Sequence, residues 1–97
     1  MLKEISAQKA RWALAHNPDI QLIDVRTAAE YRQGHIPGSI NIPLAHIQSC
    51  RIPKNEPIFV CCKSGGRSRQ AKDALVAMGY TDVTNIGSID GWILSGD

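Results

Sequence analysis

The sequence predicts an α/β domain with a mainly parallel central sheet and helices on its faces. Three apolar runs rich in β-branched residues, at 20–25, 58–62 and 83–86, have the length and composition of buried strands. Segments with the helical spacing of apolar residues lie at 6–16 and 68–78. Strands and helices that alternate over such short distances are typical of parallel sheets, because the crossover helices pack on the sheet.

The first quarter of the chain predicts a strand, a helix and a second strand. Residues 2–5 are a short strand candidate. Ser6 is expected to cap a helix that runs to about His16, and Pro18 stops it because the residue before proline disfavours helical dihedrals. The run at 20–25 then predicts a buried strand.

The middle of the chain is marked by helix-capping and turn signals. Thr27 and Glu30 have the spacing of a capping box, and Gly34 is placed to end the short helix that they open. Pro37-Gly38 predicts a turn that leads into a brief strand. Next come a short helix at 44–50 and a polar loop at 51–56.

The central strand, residues 58–62, leads through a loop containing Gly65 and Gly66 into a helix. Ser68 is a plausible N-cap for that helix, and Gly79 stands where a C-terminal glycine belongs. We expect both loop glycines to permit positive φ or a close approach of the backbone. The chain then predicts a strand at 83–86 and a final turn or short helix at 87–93.

Cys62 ends the central strand and faces the loop, and this arrangement favours thiolate chemistry. A strand that feeds a glycine-containing loop and a helix N-terminus turns several backbone N–H groups toward one point. These donors, together with Lys63 and Arg67, favour negative charge and are expected to lower the thiol pKa. The same donors could hold an anionic substrate. The alternative is that Cys62 is a buried structural cysteine in a tight strand-to-helix connection.

Composition excludes several other classes of protein. A chain of 97 residues predicts one domain, residues 1–97, and a formal charge of +2 is too small to indicate a nucleic acid partner. Three cysteines without metal-ligand spacing predict neither a disulfide framework nor a metal site, and they fit a reducing, cytoplasmic compartment. No apolar run is long enough to span a membrane, and the first residues do not predict a signal peptide.

Three motifs in order resemble the signatures of rhodanese domains. The first is Asp24-Val25-Arg26 with Glu30-Tyr31 and the run from Gly34 to Pro43; the second is Cys62-Lys63-Ser64-Gly65-Gly66-Arg67-Ser68; the third is Gly87-Ser88-Ile89-Asp90-Gly91-Trp92. Together they span almost the whole chain. One departure is Ser88, which stands where a second glycine is usual in the family, and the chain is short for the family.

The resemblance implies a rhodanese-like three-layer fold with a five-stranded sheet, and the activity of a thiosulfate sulfurtransferase. Cys62 matches the nucleophile that carries a persulfide, and no cofactor or metal is implied. The donor would be thiosulfate or a similar small anion, and the acceptor would be cyanide, a thiol or a protein. Asp24, Arg26 and His35 match positions that are mostly structural. The residues that match the substrate-binding loop are Lys63, Ser64, Gly65, Gly66, Arg67 and Ser68, with Arg67 as the anion-binding arginine.

Two other functions stay open from the sequence. A persulfide carrier that serves one partner protein would share every residue with the enzyme. A cysteine-dependent phosphatase or arsenate reductase would use Cys61, which is separated from Arg67 by five residues, but Val60 stands where those families usually have histidine. The favoured interpretation is that Cys61 points into the core, since successive strand residues face opposite sides. Cys50 is interpreted as a small buried apolar residue and less readily as a resolving thiol.

Overall fold

A computed structural model describes residues 5–64 and 66–96 as four parallel strands with helices on both faces. The predicted α/β class with a parallel sheet is confirmed. In chain order the elements are α1 (Ala7–His16), β1 (Gln21–Asp24), α2 (Ala28–Gln33), β2 (Ile40–Asn41), a 3₁₀ helix (Leu44–Ser49), β3 (Ile58–Cys62), α3 (Gly66–Ala77) and β4 (Val83–Ser88).

The sheet has the strand order β2-β1-β3-β4, which places β3 between β1 and β4. β1 aligns Asp24 with Cys61 of β3, and β4 aligns Ser88 with Cys62 after a register shift beyond Val60. The described residues therefore contain four strands, one fewer than expected. The missing strand was predicted at residues 2–5; its first three residues lie outside the described ranges, and Ile5 belongs to no strand.

Two apolar clusters cover the two faces of the sheet and give the fold its three layers. One cluster joins the sheet to α3 and the 3₁₀ helix through Ala71, Leu75 and Ile47. The other joins the opposite face to α1 through Ala10, with Ala13 and Leu14 packed against it. All five residues of β3 are buried, because this strand has a neighbour on each edge and a cluster on each face.

The ends of the first two helices agree with the sequence. Ser6 caps α1 by accepting a hydrogen bond of 3.2 Å from the Lys9 N–H. The predicted capping box opens α2, since Thr27 accepts from the Glu30 N–H while Glu30 accepts from the Thr27 N–H.

The start of α3 was predicted wrongly. The helix already includes Gly66, so Ser68 lies within its first turn and is not the N-cap. Ser68 is fully buried. A serine followed by helical spacing has the same pattern whether its hydroxyl caps the helix or turns into the core. Gly79 does end the helical region as expected, with a φ of 104°.

No helix in the described ranges combines the length and the apolar character needed to cross a membrane.

Candidate active site

Cys62 lies at the carboxyl end of β3, between the sheet and α3. Its backbone carbonyl accepts a hydrogen bond of 2.8 Å from the Ile89 N–H, which fixes the end of the strand. Its side chain has no exposed surface and belongs to the same cluster as Ala71 and Leu75 of α3. The carboxyl ends of parallel strands are where binding sites form in α/β sheets. The Cys62 thiol therefore lies beside the first turn of α3.

The hydroxyl of Ser68 is a hydrogen-bond partner of the Cys62 thiol. The Cys62 Sγ–H donates to Ser68 Oγ at 3.3 Å, and both side chains are fully buried. A hydroxyl can rotate to donate as well as accept. Once the thiol has lost its proton, the same contact can therefore stabilise the thiolate. The predicted site residue Ser68 touches the sulfur, although it does not cap the helix.

The loop residues that follow Cys62 differ in their exposure to solvent and in their contacts. Lys63 and Ser64 are exposed, and Gly65 lies outside the described residues. Apart from its chain neighbours and the backbone of its own helix, no described atom lies within 4 Å of a Cβ built on Gly66. Gly66 is the first residue of α3 and is not among the glycines with positive φ, so the structure does not use the left-handed conformation that glycine would permit at this position. The space beside Gly66 is open.

The guanidinium of Arg67 is held by Glu30 of α2. Nη1 donates to one carboxylate oxygen of Glu30 at 2.6 Å, and Nη2 donates to the other at 3.0 Å. About a third of each side chain is exposed, so the pair is worth about 1 kcal/mol or less to stability. The resemblance implied that the Arg67 guanidinium binds a substrate anion. In this structure the guanidinium instead binds the Glu30 carboxylate of the chain itself.

Glu30 has two tasks, and both depress its pKa. The hydrogen bonds from Arg67, followed by those from Thr27, lower the pKa of Glu30 to about 2. The pKa of Arg67 is raised, first by its hydrogen bonds to Glu30, and a negative charge on Cys62 adds to this rise. Arg67 therefore lies within electrostatic range of the sulfur. The capping box was predicted from the sequence, but the ion pair was not, because it joins residues 37 positions apart.

A polar cleft of about 410 Å³ lies beside the loop. Charged side chains on its wall are Arg26, Glu30, Lys63 and Asp90, and Trp92 adds an aromatic surface. Glu30 and Asp90 were not predicted as cleft residues. The C-terminal signature could have indicated Asp90, because Ile89 bonds directly to the end of β3.

Arg26, which lines this cleft, forms a buried ion pair with Asp24. Arg26 donates to both carboxylate oxygens of Asp24 at 2.7–3.1 Å and to the Gly34 carbonyl at 2.7 Å. Asp24 is fully buried, and the hydrogen bond to Asp24 is the main cause of the raised pKa of Arg26. His35 exchanges two backbone hydrogen bonds of 2.8 Å with Ser95. These contacts agree with the structural role that the resemblance implied for Asp24, Arg26 and His35.

The other two cysteines are buried away from the loop, as predicted. Cys61 has no exposed surface and packs with Phe59 and Ile86 on the face opposite Cys62. Burial, and then the charge of Asp24, raise the pKa of the Cys61 thiol well above its ordinary value. Cys50 is 3% exposed and its sulfur lies 3.3 Å from the Tyr80 hydroxyl. None of the three cysteines, all within the described ranges, forms a disulfide.

Comparison with known proteins agrees with this architecture. A family model described as "Rhodanese-like domain" matches residues 7–95. A protein named "Sulfurtransferase" from Allochromatium vinosum is 38% identical over 99% of this chain and 92% of its own length. "Thiosulfate sulfurtransferase PspE" from Escherichia coli is 44% identical over 69% of this chain and 68% of its own length.

A solved structure has the same fold over the full length of the chain. The crystal structure of a rhodanese-like domain protein from Staphylococcus aureus superposes with a TM-score of 0.88 at 29% identity, covering 99% of both chains. The family match covers all of the elements described above. The chain belongs to the rhodanese-like domain family.

Proposed function

We propose that the chain is a sulfurtransferase of the rhodanese type, which moves sulfane sulfur from thiosulfate or a similar donor to a thiol or to cyanide through a persulfide on Cys62. The observation that carries the proposal is the position of Cys62 Sγ. It lies at the carboxyl end of β3, beside the first turn of α3, and in contact with Ser68 Oγ. Membership of the rhodanese-like family supports the same reaction class.

The first half-reaction loads the enzyme. The Cys62 thiolate attacks the outer sulfur of thiosulfate, a new S–S bond forms, and the S–S bond of thiosulfate breaks. Sulfite leaves with the bonding electron pair, and Cys62 carries the persulfide. No general base takes part if the thiol is ionised before the donor arrives.

The second half-reaction unloads the enzyme. A cyanide ion or a thiolate attacks the terminal sulfur, and the electron pair of the enzyme's S–S bond returns to Cys62. The thiolate is regenerated, so transfer is ping-pong.

Stabilisation of the sulfur anions is assigned to the start of α3 and to the loop. The dipole of α3, a helix of twelve residues, favours negative charge near its first turn, where Ser68 offers its hydroxyl. We propose that the backbone N–H groups of residues 63–67 complete the ring of donors around the terminal sulfur, with the side chains of Lys63 and Arg67 at its rim. A single donor positioned in this way stabilises the transition state by about 3 kcal/mol in well-studied oxyanion holes.

Two alternatives use the same fold. A persulfide carrier would load Cys62 in the same manner and then release its sulfur only to a partner protein. We propose a cytoplasmic location for the enzyme and for the carrier alike. Turnover with cyanide or a small thiol separates the enzyme from that carrier. The phosphatase-like alternative needs an ionised Cys61, and the raised pKa of its buried thiol beside Asp24 argues against it.

The direct test is the intact mass of the protein after incubation with thiosulfate. We expect a gain of one sulfur atom that cyanide or a reductant removes. Peptide mapping should place the added sulfur on Cys62. Hydrolysis of an aryl phosphate by the protein, with no persulfide on Cys62, would contradict the proposal.

Arg67 and Lys63 are expected to differ in their effects on donor use. Arg67→Ala should weaken the use of thiosulfate by removing a charge-assisted contact of about 1.5–3 kcal/mol. Lys63→Ala should cost less, because Lys63 is exposed and its ammonium is carried on a flexible stem. The measurement is the apparent KM for thiosulfate beside that for a donor of low charge. Equal losses with both donors would remove Arg67 from anion recognition.

A further inference from the structure

Arg67, the arginine of the active-site loop, is already engaged in the structure. Both terminal nitrogens of its guanidinium donate to Glu30, at 2.6 and 3.0 Å. A bidentate fork of this kind is the arrangement that arginine would also offer to an anionic substrate. Glu30 therefore occupies the positions that the oxygens of a donor anion would take on the same two nitrogens.

The charged side chains of the neighbouring cleft do not replace the engaged Arg67 as an attraction for anions. Arg26 is buried and committed to Asp24. Lys63 adds one exposed cation, while Glu30 and Asp90 contribute two carboxylates to the same cleft. The charged side chains that line the described part of the cleft thus balance to about zero, and a dianion finds little net attraction there.

We propose that Glu30 is a specificity-determining residue, which holds the Arg67 guanidinium away from the sulfur donor and so lowers the preference of the site for dianionic donors. This proposal rests on the sulfurtransferase function proposed above. A dianion such as thiosulfate gains Arg67 only after the pair with Glu30 has broken. A donor of low charge, such as a small alkyl persulfide, does not need Arg67 and meets no such barrier.

The pair is suited to exchange, because it is partly exposed and its atoms belong to different elements. About a third of each side chain reaches solvent, so water can replace either partner. Glu30 stays anchored when Arg67 leaves, because it also accepts hydrogen bonds from the Thr27 N–H and the Thr27 hydroxyl at 2.9 and 3.1 Å. The carboxylate thus stays on the cleft wall as a competitor for Arg67.

The main experiment is Glu30→Gln, measured as the rate of persulfide formation on Cys62. Glutamine preserves the acceptor that the capping box needs and removes the charge that holds Arg67. We expect the apparent KM for thiosulfate to fall by about three- to fivefold at low ionic strength, as the release of a weak ion pair allows. The KM for 2-mercaptoethanol persulfide should not change. The gain should shrink in high salt, because exposed charges are screened there.

Three matched variants separate the ion pair from other effects. Thr27→Ala removes the hydroxyl of the capping box but keeps the backbone N–H that anchors Glu30 and both hydrogen bonds from Arg67, so its KM values should stay close to those of the wild type. Asp90→Asn removes a charge from the same cleft without contact to Arg67, so its effect should be clearly smaller than that of Glu30→Gln. In an Arg67→Ala background, Glu30→Gln should bring no further gain, because the residue that it releases is absent.

Several outcomes would overturn the proposal. These are a rise in thiosulfate KM in Glu30→Gln, an equal change with both donors, an equal effect of Asp90→Asn, or a gain that persists without Arg67. If Glu30→Gln folds poorly, Glu30→Ala compared with Thr27→Ala gives the same test. Failure of wild-type protein to form a persulfide with either donor would overturn the sulfurtransferase function and this role together. Persulfide formation without a donor-selective effect would overturn the role of Glu30 alone.

Discussion

Cys61 and Cys62 are neighbours in sequence and equally buried, and the structure places them in opposite surroundings. Neither side chain has exposed surface. Because successive residues of a strand face opposite sides, Cys61 packs with Phe59 in one core cluster and Cys62 with Leu75 in the other. Burial alone therefore does not distinguish Cys61 from the proposed nucleophile Cys62.

The groups that face each sulfur make the difference. Cys61 is in register with Asp24, a buried carboxylate whose charge raises the thiol pKa beyond the effect of burial. Cys62 faces the hydroxyl of Ser68 and the first turn of α3, which favour an anion. In the proposed function, the charges and donors around each sulfur make Cys62 the reactive cysteine and Cys61 the structural one, and a change of one residue in register would exchange these proposed roles.

The largest expected effect comes from replacing each thiol in turn. Cys62→Ser should abolish persulfide formation and sulfur transfer, because serine supplies no polarisable thiolate. Cys61→Ser and Cys50→Ser should keep most of the activity. Intact mass and cyanide turnover measure both properties. A dead Cys61→Ser variant with an active Cys62→Ser variant would reverse the comparison and favour the phosphatase-like register.

Much of this contrast could be predicted from the sequence, since alternation along a strand already assigns the two cysteines to different faces. The capping box of Thr27 and Glu30 was equally visible, because its residues lie three positions apart. Short-range rules of this kind depend on local geometry alone. They predicted β1, β3, β4 and the two long helices.

What the sequence did not reveal depends on contacts between distant segments. The pair of Glu30 and Arg67 joins two helices that come together only in the folded chain. Ser68 has the composition of an N-cap, and only the packing of α3 on β3 shows that its hydroxyl turns inward to Cys62. A short helix was predicted at residues 44–50, but the sequence could not indicate that it is a 3₁₀ helix, Leu44–Ser49, interrupted by non-helical dihedrals at His46.

The next effect in size comes from moving the loop away from Cys62 without touching Cys61. Inserting one glycine between Gly65 and Gly66 should enlarge the proposed ring of N–H donors and draw some of them away from the sulfur. Sulfur transfer should fall by about tenfold or more, since one positioned donor is commonly worth a hundredfold or so in rate. The turnover of parent and variant with thiosulfate measures the loss.

The same pair of proteins tests the phosphatase alternative. Slow hydrolysis of an aryl phosphate is compatible with the enlarged loop, while the parent should show none. Phosphatase turnover by the parent, with no persulfide on Cys62, would contradict the sulfurtransferase function and favour the phosphatase alternative.

A smaller effect is expected when Cys62 loses its hydroxyl partner. Ser68→Ala removes the hydrogen bond to Sγ and should slow both alkylation and sulfur transfer by about three- to tenfold, the worth of one hydrogen bond. Ser49→Ala, which removes a hydroxyl bonded to the carbonyl of His46 in the 3₁₀ helix, serves as the control. The pH profile of Cys62 alkylation should move to higher pH in Ser68→Ala and stay in place in the control. An unchanged profile would mean that Ser68 only fills space.

The smallest effect concerns Cys61 and appears in stability at alkaline pH. Burial, and then Asp24, raise the pKa of the folded thiol above the value of about 8.5 for an unfolded chain. Above pH 8.5 the unfolded state loses this proton while the folded state keeps it, so the free energy of unfolding falls as pH rises. By pH 9 the loss from this thiol is about 0.8 kcal/mol. Denaturant unfolding of Cys61→Ala between pH 7.5 and 9 should therefore show a shallower decline than the wild type, whatever the absolute cost of the substitution. The window stays below the titration of Tyr80, whose pKa burial raises to about 12.

Parallel declines in the two proteins would mean that the Cys61 thiol titrates in the folded state as it does in the unfolded chain.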